Sequence, residues 1–327
     1  MGVAAESGFS NDRRLMLARQ ITAVENDTAA GRIALDETFK KAGKAILIGI
    51  TGAPGTGKSS LVNQLTSYLR SEKKLTVGIV AVDPSSPFTG GAILGDRVRM
   101  RDLSGDDGVF IRSMASRGAL GGLALATAGV VQLLDAAGYD VVMIETVGAG
   151  QSEVEIARLA HTTLVVEAPG FGDDIQAIKA GILEIADILV LNKADLPGVE
   201  STERALKANL EMGYPMGING KAGHQQSIEK QDEITGWHPP VVKTVATRGT
   251  GMKDLVEAIF KHQEYIKGSG TLSARNKERL KIEFEYLLKH RLFTDWQRNH
   301  TQQEIEQALI KIYSRQLSPQ QALDQLI

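Results

Sequence analysis

The chain has 327 residues, of which 43% are hydrophobic, and a formal net charge of −2. That length allows one large α/β domain with extensions or two modest domains, and the lack of a basic excess gives no support for nucleic acid as a partner. There is no cysteine and there are only six scattered histidines, which excludes disulfides and thiolate metal sites and argues against a transition-metal store.

No apolar run approaches the length of a membrane span. The N-terminus lacks the apolar stretch of a secretory signal, so a cytoplasmic location with no membrane partner is expected. Residues 11 to 44 carry Leu15, Ala18, Ile21 and Val24, then Ile33, Leu35 and Phe39, a spacing that predicts two short amphipathic helices. Seven apolar runs follow: AILIGI (45–50), TVGIVAV (76–82), VFIRS (109–113), DVVMIE (140–145), TTLVVE (162–167), DILVL (187–191) and VVKTVA (241–246). They are rich in β-branched residues and nearly unalternated, as strands covered on both faces should be. Helical stretches separate most of them, which predicts an α/β fold with a doubly wound, mostly parallel sheet. Residues 217 to 236 have little apolar content and read as a solvated loop.

After KGSG (267–270) the pattern changes to helices. NKERLKIEFEYLLKHRLF puts Leu280, Phe284, Leu287, Leu288 and Phe293 near one face, and QQEIEQALIKIYSRQL repeats the pattern with Ile305, Leu309 and Ile312. In SPQQALDQLI, Ser318 is a candidate N-cap and Pro319 the first helical residue. The chain therefore divides into a helical extension (1–44), an α/β domain (45–266) and a helical arm (267–327). Two or three helices bury little area alone, so the arm must pack on the α/β domain, on a partner or on a second copy.

The first apolar run passes through Thr51 into GAPGTGKSS (52–60). Gly52, Gly57, Lys58 and Ser59 match G-x-x-x-x-G-K-[ST]; Ala53, Pro54, Gly55 and Thr56 fill the loop and Ser60 follows it. Glycines let such a loop turn its N–H groups toward phosphates, and the helix that follows adds its positive dipole end. Lys58 supplies a point charge to the β- and γ-phosphates, and the Ser59 hydroxyl is suited to Mg²⁺. Asp83 ends the next strand, an edge position suited to Mg²⁺ or its waters.

VVMIETVGAGQSE (141–153) is a strand ending in Glu145, with Gly148 three residues later. Gly148 is placed to give an N–H to a γ-phosphate and to let the loop move when that phosphate leaves. Nucleotide switches of this shape usually carry Asp and a following Gln; here the acid is one methylene longer and Ala149 follows the glycine, with Gln151 two residues further on. Asp83, Asp96 and Glu145 are the acids available for metal and water. ADILVLNKADL then sets Asn192, Lys193 and Asp195 just after a strand. A carboxylate at Asp195 can accept from guanine N1–H and the exocyclic amine, donors that adenine lacks in that arrangement. Asn192 would brace the loop and the Lys193 stem could cover the base. In VVKTVATRGTG, Ala246, Thr247 and Arg248 are positioned to offer backbone N–H groups to guanine O6. The three elements in this order favour GTP over ATP.

GAPGTGKSS, VDPSSPFTGGAILGDRVRM, RSMASRGALGGLA, VVMIETVGAGQSE, PGFGDDIQAIKAGI, LNKAD and ATRGTG together resemble the MeaB/MMAA/ArgK family of P-loop GTPases, over roughly residues 40 to 265. The resemblance implies a GTPase of the SRP/MinD-like class that acts as a homodimer through its C-terminal helices. It also implies a chaperone of adenosylcobalamin-dependent methylmalonyl-CoA mutase, gating cofactor loading and protecting or reactivating that enzyme. Two switch regions would fall at about 83–105 and 145–155 and a third mobile loop at about 168–180, with Gln176 and Lys179 as candidate partner-sensing residues. Read on its own, that third loop is equally an ordinary connection capped by Asp173 or Asp174. An intact cradle beside an incomplete water-positioning set predicts slow GTP hydrolysis raised by the partner. The alternatives are a metal- or cofactor-insertion GTPase for another enzyme, which would advertise Cys and His clusters, or a P-loop kinase, which needs an acceptor site with a base. Arg97, Arg99, Arg101 and Arg117 are read either as surface ion-pair residues or as phosphate or partner contacts.

Overall fold

The computed structural model describes residues 10–84, 103, 105–116, 122–146, 157–170, 184–213 and 236–326. Each apolar run forms a strand: β1 (Ile46–Thr51), β2 (Val77–Pro84), β3 (Val109–Ser116), β4 (Val141–Thr146), β5 (Thr162–Glu167), β6 (Ile188–Leu191) and β7 (Val241–Lys243). They form one seven-stranded sheet in the order β3-β2-β4-β1-β5-β6-β7, and every neighbouring pair is parallel. Among the described residues the helices are α1 (Asn11–Glu25), α2 (Ala29–Phe39), α3 (Lys58–Ser71), α4 (Gly122–Ala137), α5 (Val199–Gly213), α6 (Met252–Gly268), α7 (Thr271–Asn299), α8 (Gln302–Tyr313) and α9 (Pro319–Leu326).

The unalternated strands are buried on both sides because alternate residues serve two cores. Ile48, Ile50, Ile79, Met143 and Val166 pack with Leu61 and Leu65 of α3 and Leu255 and Ile259 of α6. Leu47, Val80, Val142 and Ile144 face the other way, onto Ile21 and Val24 of α1, Ala34 of α2 and Val131 and Leu134 of α4. A smaller core joins Val165, Leu189 and Leu191 to Leu206 of α5. Polar contacts fix α1 beside the edge strand: Arg14 donates to the carbonyls of Asp106, Asp107 and Val109, and Arg112 pairs with Glu25.

The last strand is shorter than its apolar run. After Lys243 the chain leaves the sheet, Val245 bridges Thr250, and Ala246–Arg248 tightens into a single 3₁₀ turn. The C-terminal helices follow KGSG directly, with α7 beginning at Thr271 and α8 ending at Tyr313. Ser318 caps α9, accepting from the Gln321 N–H at 3.1 Å. All of 217–236 except Gly236 lies outside the described residues.

Two compact units emerge, Met1–Arg275 and Asn276–Ile327. Within the second, Trp296 stacks on Phe293 and His300 and donates its indole N–H to the Leu326 carbonyl at 3.1 Å. Leu280, Phe284, Leu287, Leu288 and Leu292 stay exposed. Among the described residues, no helix is long and apolar enough to cross a membrane. In the first unit, β4 and β5 flank β1 on opposite sides, which makes the C-terminal end of β1 the place where ligands of open α/β sheets bind.

Candidate nucleotide site

The loop between β1 and α3 is shaped by three glycines, Gly52, Gly55 and Gly57, in backbone conformations that side chains rarely adopt. Gly52 has φ +140°, and a Cβ there would collide with the Val166 carbonyl of the neighbouring strand. Gly57 has φ +93° and immediately precedes α3. Between them, Thr56 is fully buried and its hydroxyl donates to the Ala53 carbonyl at 2.9 Å. Pro54, Gly55 and Ser60 are exposed. The Lys58 side chain is buried and folds back so that Nζ donates to the carbonyls of Gly52 at 2.8 Å and Ala53 at 2.9 Å.

Strand order brings Glu145 against this loop. It sits opposite Ile50 of β1 and Ala81 of β2, is nearly fully buried, and accepts the Ser59 hydroxyl at 2.6 Å. One residue on, the buried Thr146 hydroxyl donates to that of Thr51 at 3.0 Å. The end of β4 is therefore tied to both ends of the phosphate loop. Asp83 lies one residue from the end of β2, opposite Ala115. Its side chain lies outside the described part of the structure, as do Asp96, Ala149, Gly148, Gln151, Asp173, Asp174, Gln176, Lys179 and the four arginines at 97, 99, 101 and 117.

Asn192 lies between three segments. It is 2% exposed; its amide donates to the Thr56 carbonyl at 2.9 Å, and its oxygen accepts from the Thr244 hydroxyl and the Ala246 N–H, each at 3.1 Å. A buried amide needs such partners, and here they bind the phosphate loop, the Asn-Lys-x-Asp loop and the 246–248 turn into one piece. Lys193 takes a left-handed φ of 56° and reaches over to donate Nζ to the Gly55 carbonyl at 2.8 Å. Asp195 is partly exposed, with Arg248 Nη2 at 3.5 Å from Oδ2.

One expectation changes. Of the three backbone donors offered to a base oxygen, the Ala246 N–H is taken by Asn192 and the Arg248 N–H by the Val245 carbonyl at 2.9 Å. The buried Asn192 oxygen and the closure of the 3₁₀ turn require those donors, which leaves Thr247 as the remaining one of the three. Sequence reading also missed the Thr51–Thr146 hydroxyl pair and the Arg248 side chain. No local signal marks either: the threonines are separated by 95 residues, and only strand order brings them together.

A phosphate loop opening a helix at the centre of a parallel sheet, with an Asn-Lys-x-Asp loop locked onto it, defines a P-loop protein of the guanine-nucleotide type. Residues 17–301 match the family described as methylmalonyl Co-A mutase-associated GTPase MeaB; the chain belongs to this family and is a GTPase. A Pyrococcus abyssi relative is 43% identical over 97% of this chain and 92% of its own length. GTPase ArgK of Escherichia coli is 34% identical, covering 96% and 92%, and the mitochondrial methylmalonic aciduria type A homolog of Mus musculus is 29% identical, covering 98% and 77%. A crystal structure of a LAO/AO transport system kinase is also similar, with a TM-score of 0.63, 27% identity, and coverage of 99% of this chain and 98% of that one.

Proposed function

We propose that this GTPase is a chaperone of adenosylcobalamin-dependent methylmalonyl-CoA mutase, hydrolysing GTP slowly until its partner engages. In this reading the nucleotide phosphates lie over Gly52–Ser60, and Lys58 exchanges the Gly52 and Ala53 carbonyls for β- and γ-phosphate oxygens. Ser59 and Glu145 are hard oxygen donors at a helix N-terminus, a set that fits Mg²⁺, which would neutralise charge developing on the phosphates. Asp83 and Asp96 are further acids for the metal or its waters, and the Gly148 N–H meets the γ-phosphate. Asp195 reads the guanine N1–H and amine, Thr247 offers its N–H to O6 between Ala246 and Arg248, and Lys193 covers the base.

The observation that carries the slow rate is the Ser59–Glu145 hydrogen bond. It commits the strand-end acid to the loop, where it would help hold Mg²⁺, while Ala149 occupies the position where a water-orienting Gln is usual. The mutase as client is supported by the family's own description, and gating of cofactor loading follows from the same reading. The helical arm from residue 267 is proposed to pair two copies, supported by its exposed apolar stripe, and the protein is proposed to work in the cytoplasm. Steady-state GTP hydrolysis with and without purified mutase tests this. The rate should be low alone and rise at least about tenfold with mutase, as for other partner-completed GTPases. A fast rate unchanged by mutase would overturn the proposal.

A further inference from the structure

The mouth of the base-reading loop already holds a cation. Asp195 and Arg248 form an ion pair whose side chains are 33% and 69% exposed. Both backbones are fixed. The Ala194 N–H donates to Thr244 at 3.0 Å and the Leu196 N–H to Lys193 at 3.0 Å, so Asp195 stands on a braced turn. Arg248 stands on the 3₁₀ turn closed by its own N–H and by the Val245–Thr250 bridge.

The chemistry of the two candidate partners of Asp195 is alike. A guanidinium presents N–H donors side by side in one plane. The Watson–Crick edge of guanine presents N1–H and its exocyclic amine in the same manner. We propose that the Arg248 side chain is a stand-in for the base: it neutralises the Asp195 carboxylate and is displaced when guanine enters. The inference rests on Asp195 being the base reader. Its consequence is self-competition, in which the free protein must give up an ion pair before it accepts a nucleotide, so Arg248 lowers affinity for GDP and GTP rather than raising it.

The pair is exposed, so its effect is small and sensitive to salt. Arg248→Ala should bind GDP about two- to fivefold more tightly than wild type at low ionic strength, and the two should converge near 1 M salt. Arg248→Lys, which keeps the charge but not the planar donor pair, should fall between them. Titration of the full chain with fluorescent GDP, at both salt concentrations, reads these shifts. Weaker binding by Arg248→Ala, or no change at low salt, overturns the proposal. Asp195→Asn separates this failure from failure of its premise. If Asp195→Asn binds GDP like wild type, Asp195 is not the base reader and the proposal falls with it. If Asp195→Asn weakens GDP while Arg248→Ala does not tighten it, the base reader stands and only the stand-in role is lost.

Discussion

Gly57 shows how one residue type holds two motifs together. A Cβ at this position would lie 2.5 Å from Nδ2 of Asn192, and the backbone φ of +93° disfavours any side chain. Asn192 cannot yield cheaply, because it is buried and bonded to Thr56, Thr244 and Ala246 at once. Gly57→Ala should therefore push the amide off its partners, leaving buried polar groups unpaired at about 1–3 kcal/mol. We expect guanine-nucleotide affinity to fall at least about tenfold, the equivalent of 1.4 kcal/mol, with the fold intact. Fluorescent-GDP titration beside circular dichroism checks this; wild-type affinity in a folded Gly57→Ala protein would show that the two loops do not depend on each other. The phosphate loop and the Asn-Lys-x-Asp loop were legible as strings, because each is a short backbone shape set by its own residues. Their joining was not, since Thr56 and Asn192 are 136 residues apart and meet only because β6 lies one strand beyond β5 in the sheet.

At the scale of elements, the N-terminal ends of β5 and β6 carry a second polar network. Asp187, just before β6, accepts the Thr163 N–H at 2.8 Å, Arg275 of α7 at 2.7 and 3.0 Å, and stands 3.2 Å from Nε2 of His262 on α6. Thr162 links to the other ring nitrogen of His262 at 2.9 Å and accepts from Gln263 at 2.7 Å. Two strands and two helices are thus tied at one carboxylate. Burial acts to raise the Asp187 carboxyl, but hydrogen bonds from His262 and Arg275, with their charges, leave it below its ordinary value. A carboxylate depressed in the folded state stabilises above its unfolded pKa, and that contribution is lost as pH falls through the folded one. Asp187→Asn should cost about 2–4 kcal/mol at pH 7, toward the lower figure because Arg275 keeps part of its hydration. The gap in melting temperature between wild type and variant should be several degrees at neutral pH and close below about pH 4. An equal gap at pH 7 and pH 3 would assign the effect to shape rather than charge. The seven strands were readable because apolar runs record burial directly. The tie from Arg275 of α7 was not, because it reaches an aspartate 88 residues back and leaves no mark on a local helical pattern.

For the whole molecule, the question is what covers the second unit. Leu280, Phe284, Leu288 and Leu292 recur every four residues along α7, so they share one side of the helix, and Phe284 and Leu292 are 65% and 61% exposed. An apolar stripe of this kind is seldom left in water, and a second copy carrying the same stripe can cover it by two-fold pairing. The wild-type protein should then sediment at twice the 35.2 kDa chain mass. Replacing Phe284 and Leu288 together by Glu puts four like charges into a symmetric apolar contact, where unpaired charge is strongly unfavourable, so this variant should sediment as single chains. The phosphate loop, Glu145, Asn192 and Asp195 all lie in the unit Met1–Arg275, so GDP affinity and basal hydrolysis should match wild type. A wild-type protein that is already a single chain at micromolar concentration would remove the second copy as occupant. A variant that stays double would move the contact off this stripe. If the variant separates but keeps its basal rate, pairing serves the partner-dependent step rather than the chemistry, and the mutase-stimulated rate is then the one that should fall.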